Sequence, residues 1–256
     1  MPKVIAFANQ KGGVGKTSVI LGVASAASAN EVPTLVIDLD PQANATAVLG
    51  ASNSDRTINE VLYTGIRGCA AEAVSPTSWP AIDIIPATLA LADREAQQDH
   101  AFEQRLRDSL QHDELNKYEL ILIDCQPSVG KLVLNALVAS DQILIITEPT
   151  MEASAGVAAI QRTIATARHY YNEKLSVAGV VINKVDLRTR ENKYRIAEIE
   201  KHIGSQLWSP YVPYRAAMSE SRGSGVPVHS FGKEASDLTA VFDTYLALLR
   251  GSGQTR

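Results

Sequence analysis

Three glycines, a lysine and a threonine stand here at a spacing suited to holding phosphate. The stretch is Asn9-Gln10-Lys11-Gly12-Gly13-Val14-Gly15-Lys16-Thr17-Ser18. Gly12, Gly13 and Gly15 allow positive φ and a close backbone approach to phosphate oxygens, with the N–H groups from Val14 to Ser18 turned inward. Lys16 supplies a full positive charge for the β- and γ-phosphates, and the Thr17 hydroxyl is the natural Mg²⁺ ligand. Carboxylates of matching use lie further on. Asp38 and Asp40 end the run Thr34-Leu35-Val36-Ile37-Asp38-Leu39-Asp40, and Asp124 ends Leu120-Ile121-Leu122-Ile123-Asp124. Two residues apart on an extended strand, Asp38 and Asp40 point the same way. Asp124 at the end of a buried strand is a fixed anion suited to a site beside Mg²⁺, acting through a metal-bound water.

These residues need elements to carry them. The apolar run Val4–Ala8 predicts a strand and the segment from Lys16 to Ala29 a helix, so the glycines fill a strand-to-helix turn whose helix end adds positive potential. Further strands are predicted at Ile82-Asp83-Ile84-Ile85, Gln142–Thr147 and Val177–Ile182. Helices follow at about Glu152–Tyr171 and Glu191–Ile203, the second with Ile196, Ile199 and Ile203 as its apolar stripe. Thr57 and Glu60 form a capping box for a short helix, and the charge-rich run from about Ala90 to Asn116 reads as surface helix. A last helix shows Leu238, Val241, Phe242, Tyr245, Leu246 and Leu249 on one face. With Asp237 and Asp243 and no lysine on its polar face, core packing is favoured over an anionic membrane. The alternation predicts one α/β domain over residues 1–250, a doubly wound, mostly parallel sheet with helices on both faces, and a flexible tail at 251–256.

Composition narrows the classes. The 256 residues are 45% apolar and 20% charged, enough for a substantial buried core in a globular chain. A net charge of −4 at pH 7 excludes a polybasic binder, so any nucleic-acid contact must be a local patch. Cys69 and Cys125, the only cysteines, do not form a C-x-x-C pair, which argues against a disulfide framework or a zinc site. The five histidines, His100, His112, His169, His202 and His229, are mutually isolated and read as structural or solvated. No run of 18 apolar residues and no signal peptide is read, so a cytoplasmic protein is expected.

One departure within the loop is specific. The motif G-x-x-x-x-G-K-[ST] asks for glycine at position 10, where this chain has Gln10, and Lys11 precedes the glycine pair. The string resembles the deviant phosphate loop of the ParA/MinD group of ATPases, and the resemblance extends from about Lys3 to Tyr245. It implies Mg·ATP hydrolysis in a homodimer, with Lys11 reaching across to the partner's nucleotide beside Lys16. Asp40 would orient the attacking water, and Asp38 would support Mg²⁺ and Lys16 with Thr17 and Asp124. Three further substitutions depart from the family's pattern: Ala43 stands for a glycine, Gln126 for a proline and Tyr214 for an arginine whose role Arg215 would take over. Glu148 or Glu152 would face the partner subunit.

Asn183-Lys184-Val185-Asp186 also fits the N-K-x-D pattern by which GTPases read guanine, but the loop variant favours adenine. Within the resemblance Asn183 would contact the adenine edge and Pro213 would wall its pocket. Arg188, Arg190 and Arg222 would bind non-specific double-stranded DNA, Arg222 being also a candidate for phosphate. Cations at a helix start, as at Arg188, Arg190, Lys193 and Arg195, oppose the dipole and hint at a bound anion, against a plain solvated face. The expectation is a partition ATPase, associated with the nucleoid and stimulated by a ParB-like centromere-binding protein, with no membrane contact. The alternatives are a MinD-like membrane- or pole-positioning switch and a metabolic enzyme on the same scaffold.

Overall fold

The computed structural model describes residues 1–96 and 101–251. Its strands are β1 (Lys3–Ala8), β2 (Thr34–Leu39), β3 (Ser75–Pro76), β4 (Ile82–Ile85), β5 (Leu120–Cys125), β6 (Gln142–Thr147) and β7 (Ser176–Ile182). Among the described residues they form one seven-stranded sheet in the order β3-β4-β2-β5-β1-β6-β7. Every pairing is parallel except β3 against β4. The helices are α1 (Lys16–Ala29), α2 (Asn44–Val48), α3 (Ile58–Thr64), α4 (Arg105–Ser109), α5 (Lys131–Ala139), α6 (Ala153–Tyr170), α7 (Arg190–Ile203), α8 (Ala216–Ser224) and α9 (Ser236–Arg250).

Strand side chains alternate between two cores, which is why the strands read as continuous apolar runs. Ile5, Phe7, Val36, Leu122 and Leu144 face the layer built by α1 and α9. Ala6, Leu35, Ile37, Ile121, Ile123 and Ile145 face the layer that includes α3, α5 and α6. All six residues of the expected α9 stripe are buried, so its apolar face belongs to the core. Ile196 and Ile199 of α7 are buried in a third, smaller cluster with Val185 and Ile182, and Ile203 packs against it half-buried.

The run from Ala90 to Asn116 departs from the expected helix. Among the described residues it contains 3₁₀ turns at Leu89–Ala96, Phe102–Gln104 and Asp113–Lys117, with the short α4 as its α-helix. Its apolar residues explain the break. Leu91, Phe102, Leu106 and Leu115 are buried at irregular intervals, a pattern that pins a winding segment to the sheet rather than one stripe of a regular helix. The capping box is present as expected: Asn59 N donates to Thr57 Oγ1 at 3.2 Å and Thr57 N to Glu60 Oε2 at 2.9 Å. His100 and the tail beyond Gly251 lie outside the described residues.

The packing of α1 on α9 holds the helix into which the phosphate loop leads. Gly22 sits under the ring of Phe242, and a Cβ there would overlap it. Phe242 is fully buried and has no free space to move into. Gly22→Ala gains about 1 kcal/mol of helix propensity, yet overpacking costs about 1–3 kcal/mol. The expected result is a lower urea midpoint with an unchanged slope; an equal or higher midpoint would contradict this packing.

Candidate active site

The C-terminal edges of β1, β2 and β5 meet because the strand order places β5 between the other two. Parallel register then sets Asp124 beside Asp38 across one pairing and beside Phe7 across the other. The glycine loop leaves β1 at the same edge, where ligands bind in open α/β sheets.

Asn9 anchors the loop. Its side chain donates to Ile146 O at 2.6 Å and accepts from Lys11 N at 3.0 Å, which ties the chain to β6. Gly13 (φ 78°) and Gly15 (φ 85°) occupy the left-handed region, and Gly15 immediately precedes α1. A side chain at Gly15 would be strained and would also collide with Asn183. Asn183 Nδ2 donates to Val14 O at 2.9 Å, and Lys184 Nζ donates to Gly13 O. Thus Asn183, expected at the adenine edge, holds the outer wall of the loop.

Lys16 is 6% exposed and donates to Lys11 O at 3.4 Å. Burial lowers its pKa, against the opposing pull of Asp124 and Asp40. Lys11 stands at the rim, with its ammonium 3.0 Å from Thr150 Oγ1, 3.1 Å from Glu148 and 3.3 Å from Glu152. Desolvation acts to lower its pKa, but the bonds to Glu148 and Glu152 outweigh this and raise it. The two glutamates expected to face a partner therefore hold Lys11 within its own chain.

The three aspartates are buried. Asp38 Oδ2 accepts from Thr46 N at 2.8 Å and Thr46 Oγ1 at 2.7 Å, while Oδ1 accepts from Asp40 N at 3.2 Å. These three bonds fix the carboxylate in place beside Asp40. Asp40 lies just past the end of β2, and its Oδ1 accepts from Gln42 N at 2.9 Å. The next turn passes through Ala43 at φ 53°, the position where the resemblance has glycine.

Asp124 differs from both. It is 1% exposed, and neither carboxylate oxygen has a hydrogen-bond partner meeting normal geometry. Burial, then the neighbouring Asp38 charge, pushes its pKa up to about 8, although Thr17 and Lys16 act to lower it. Burial likewise pushes Asp38 up to about 6. An orphaned buried carboxylate beside a threonine hydroxyl fits a hard divalent cation. Among the described residues no group of three or more His, Cys, Asp or Glu side chains is arranged to hold a metal by itself. That suits Mg²⁺, which keeps most of its ligands as water and phosphate.

Other expected residues are more dispersed. Pro213 lines a concavity of about 560 Å³ with Val185, Asp186, Arg188 and Tyr211. Arg190 and Lys193 are exposed at the start of α7, whereas Arg195 bonds Glu191 at 2.7 Å and Glu198 at 2.8 Å. Arg222 is on α8 and donates to Ser18 Oγ at 3.2 Å, so it sits against α1 rather than with Arg188 and Arg190. Two positioning residues escaped sequence reading. Thr46 also accepts from Ala87 N at 2.8 Å, and its distance from Asp38 in sequence carries no motif. Glu95 accepts from Lys131 N at 2.9 Å and Leu132 N at 3.2 Å, capping α5, and also takes the Gln126 amide.

The unpartnered charge of Asp124 has a measurable consequence. The unfolded chain releases this proton near pH ~3.9, whereas the folded chain keeps it to about 8. The ligand-free protein therefore loses stability as pH rises from about 4 to about 8. Asp124→Asn removes that loss. Its thermal midpoint should exceed wild type at pH 8 and converge with it toward pH ~4, each ~1 kcal/mol appearing as about 2–4 °C. A midpoint below wild type at pH 8 would refute this.

Comparisons with known proteins bear on the family and the fold. Residues 2–177 match the sequence model of a family described as AAA domain. The sporulation initiation inhibitor protein Soj of Bacillus subtilis is 34% identical over 234 residues, 89% of this chain and 90% of that protein. The chromosome partitioning protein ParA of Caulobacter vibrioides is 33% identical over 231 residues, 88% of this chain and 86% of that protein. Among solved structures, cobyrinic acid a,c-diamide synthase from Mycobacterium smegmatis with bound ADP and magnesium is 26% identical. It superimposes with a TM-score of 0.81, covering 100% of this chain and 98% of that one.

Proposed function

The chain belongs to the AAA-domain family of P-loop ATPases that includes Soj and ParA, and from that membership we propose that it works as a partition ATPase. In this reading Mg·ATP binds at the edge formed by β1, β2 and β5, and two chains dimerise around their nucleotides. The dimer binds double-stranded DNA without sequence preference, and a ParB-like centromere-binding partner stimulates slow hydrolysis. Release from DNA after hydrolysis makes the attachment reversible. The observation that carries the reading is Lys11, placed at the rim of its own loop on an acidic pair rather than inside it.

The residues divide the work. The loop N–H groups and Lys16 hold the phosphates, and Asn183 and Lys184 keep the loop in shape. Thr17 and Asp124 would hold Mg²⁺, which when bound neutralises charge building on the phosphate oxygens. Asp40, fixed by the Gln42 N–H, orients the water for in-line attack. Burial of Lys16 makes its charge count for more than it would in water. Asp38 keeps Asp40 in place through the Asp40 N–H and adds to the negative potential.

Arg190 and Lys193, exposed at the start of α7, are the proposed DNA contacts, while Arg188 beside them is held on Asp186. Arg222 is assigned to the phosphate side, beside Ser18. The MinD-like reading gains nothing from α9, whose apolar residues are consumed by the core. Among the described residues no helix is long and apolar enough to cross a membrane.

DNA retention is to be measured at two stated salt concentrations with ATP, with ADP and with Lys11→Ala plus ATP. Binding is expected only for wild type with ATP, and it should weaken steeply with salt. Equal retention in all three samples would refute the nucleotide switch. Asp40→Ala should slow hydrolysis by about 10²-fold or more while ATP-dependent DNA retention persists. Loss of ATP binding in that variant would instead place Asp40 in nucleotide binding.

A further inference from the structure

The strand end Asn183-Lys184-Val185-Asp186 has the spacing with which an aspartate reads guanine, and its first two side chains are already docked on the phosphate loop. Asp186 lines the concavity of about 560 Å³ that also contains Pro213 and Tyr211. A free carboxylate there would be an acceptor-only group. It would match the N1–H and the exocyclic amine of guanine, both donors. Against adenine, whose ring N1 is itself an acceptor, it would be mismatched. Left open, this motif would select the wrong base for an ATPase.

Asp186 is not open. Arg188 Nε donates to Asp186 Oδ1 at 2.8 Å and Arg188 Nη2 donates to Oδ2 at 2.8 Å, a two-pronged fork on the carboxylate. The Arg188 backbone N–H adds a third bond to Oδ1 at 3.0 Å. These bonds hold the Asp186 pKa down to about 2, and the Arg215 charge acts the same way from nearby. Arg215 itself is committed to Asp237 at 2.6 Å. The Asp186 N–H donates to Asn192 Oδ1 at 3.0 Å, which fixes the turn.

We propose that Arg188 is a specificity-determining residue: by occupying both oxygens of Asp186 it denies guanine its acceptor and leaves the base concavity to adenine. The inference rests on the ATPase reading above and takes this concavity as the base site because Pro213, expected to wall the base pocket, lines it. The fork is rigid and planar, so it matches the carboxylate in a way lysine would not. Of the carboxylate's roughly four acceptor sites three are taken, so guanine could not gain both of its bonds without displacing one of Arg188's. The arginine side chain is 88% exposed and supports no packing, so its removal tests recognition rather than folding.

Competition binding on the full chain gives the test, with ATP, GTP and xanthosine triphosphate at fixed Mg²⁺. Wild type, Arg188→Ala and Arg188→Ala/Asp186→Asn are compared, with a thermal melt for each. Arg188→Ala should raise the GTP-to-ATP affinity ratio about tenfold, the size of one charge-assisted hydrogen bond. Adding Asp186→Asn should cancel that rise and favour xanthosine triphosphate, whose C2 carbonyl needs a donor. An unchanged ratio in Arg188→Ala, with ATP still bound by wild type, overturns the inference alone. A rise that survives Asp186→Asn overturns it too, because the gain then bypasses the aspartate. A wild-type chain that binds no nucleotide overturns the underlying reading as well.

Discussion

Three buried carboxylates share one edge of the sheet with a single buried ammonium, and this imbalance governs the site. Asp38, Asp40 and Asp124 are drawn together by the parallel register of β2 and β5, while Lys16 enters from α1. Parallel pairing brings every strand's C-terminal end to the same side, so acids placed at those ends must meet. The chain tolerates their repulsion in two ways. It satisfies Asp38 with three hydrogen bonds, and it leaves Asp124 without a well-formed one, so that burial raises its pKa. A bound cation converts that defect into a ligand. A site of this kind gives up folding stability in exchange for affinity toward charge.

Much of this was legible beforehand because apolar runs and polar strand ends are local signals. The bounds of α1, the three acids, the Thr57 cap and the burial of α9 all follow from residues within a few positions of each other. The described parts of the stretch from Leu89 to Lys117 depart from the expected helix for the opposite reason. Its charged residues suggest a solvated helix, but where it turns is set by four apolar residues finding places on the sheet. The same holds for Glu95. Nothing near it in sequence announces that it caps a helix starting at Lys131 or that it receives Gln126, the residue standing for a proline. Ala43 is a milder case. Its identity was visibly unusual, but only the backbone reveals the left-handed turn it must adopt, at about 1–2 kcal/mol.

The loop itself shows how motif and context separate. Its glycines specify a phosphate cradle wherever they occur after a strand. The side chains that fix its outer wall, Asn183 and Lys184, come from β7's far end and would suit a guanine or an adenine nucleotide equally. Base choice then depends on what surrounds Asp186, a matter of one arginine's conformation rather than of the motif's letters.

The packing of α1 against α9 has a consequence for how the protein is made. The helix that presents Lys16 and Thr17 is synthesised well before Phe242, Tyr245 and Leu246, the residues that complete its buried face. At about 5–20 residues per second, synthesis separates the two by many seconds. During that time the phosphate loop lacks the support that orients its helix. The orientation of the helix that closes the phosphate loop is therefore completed only once α9 is available to pack on it.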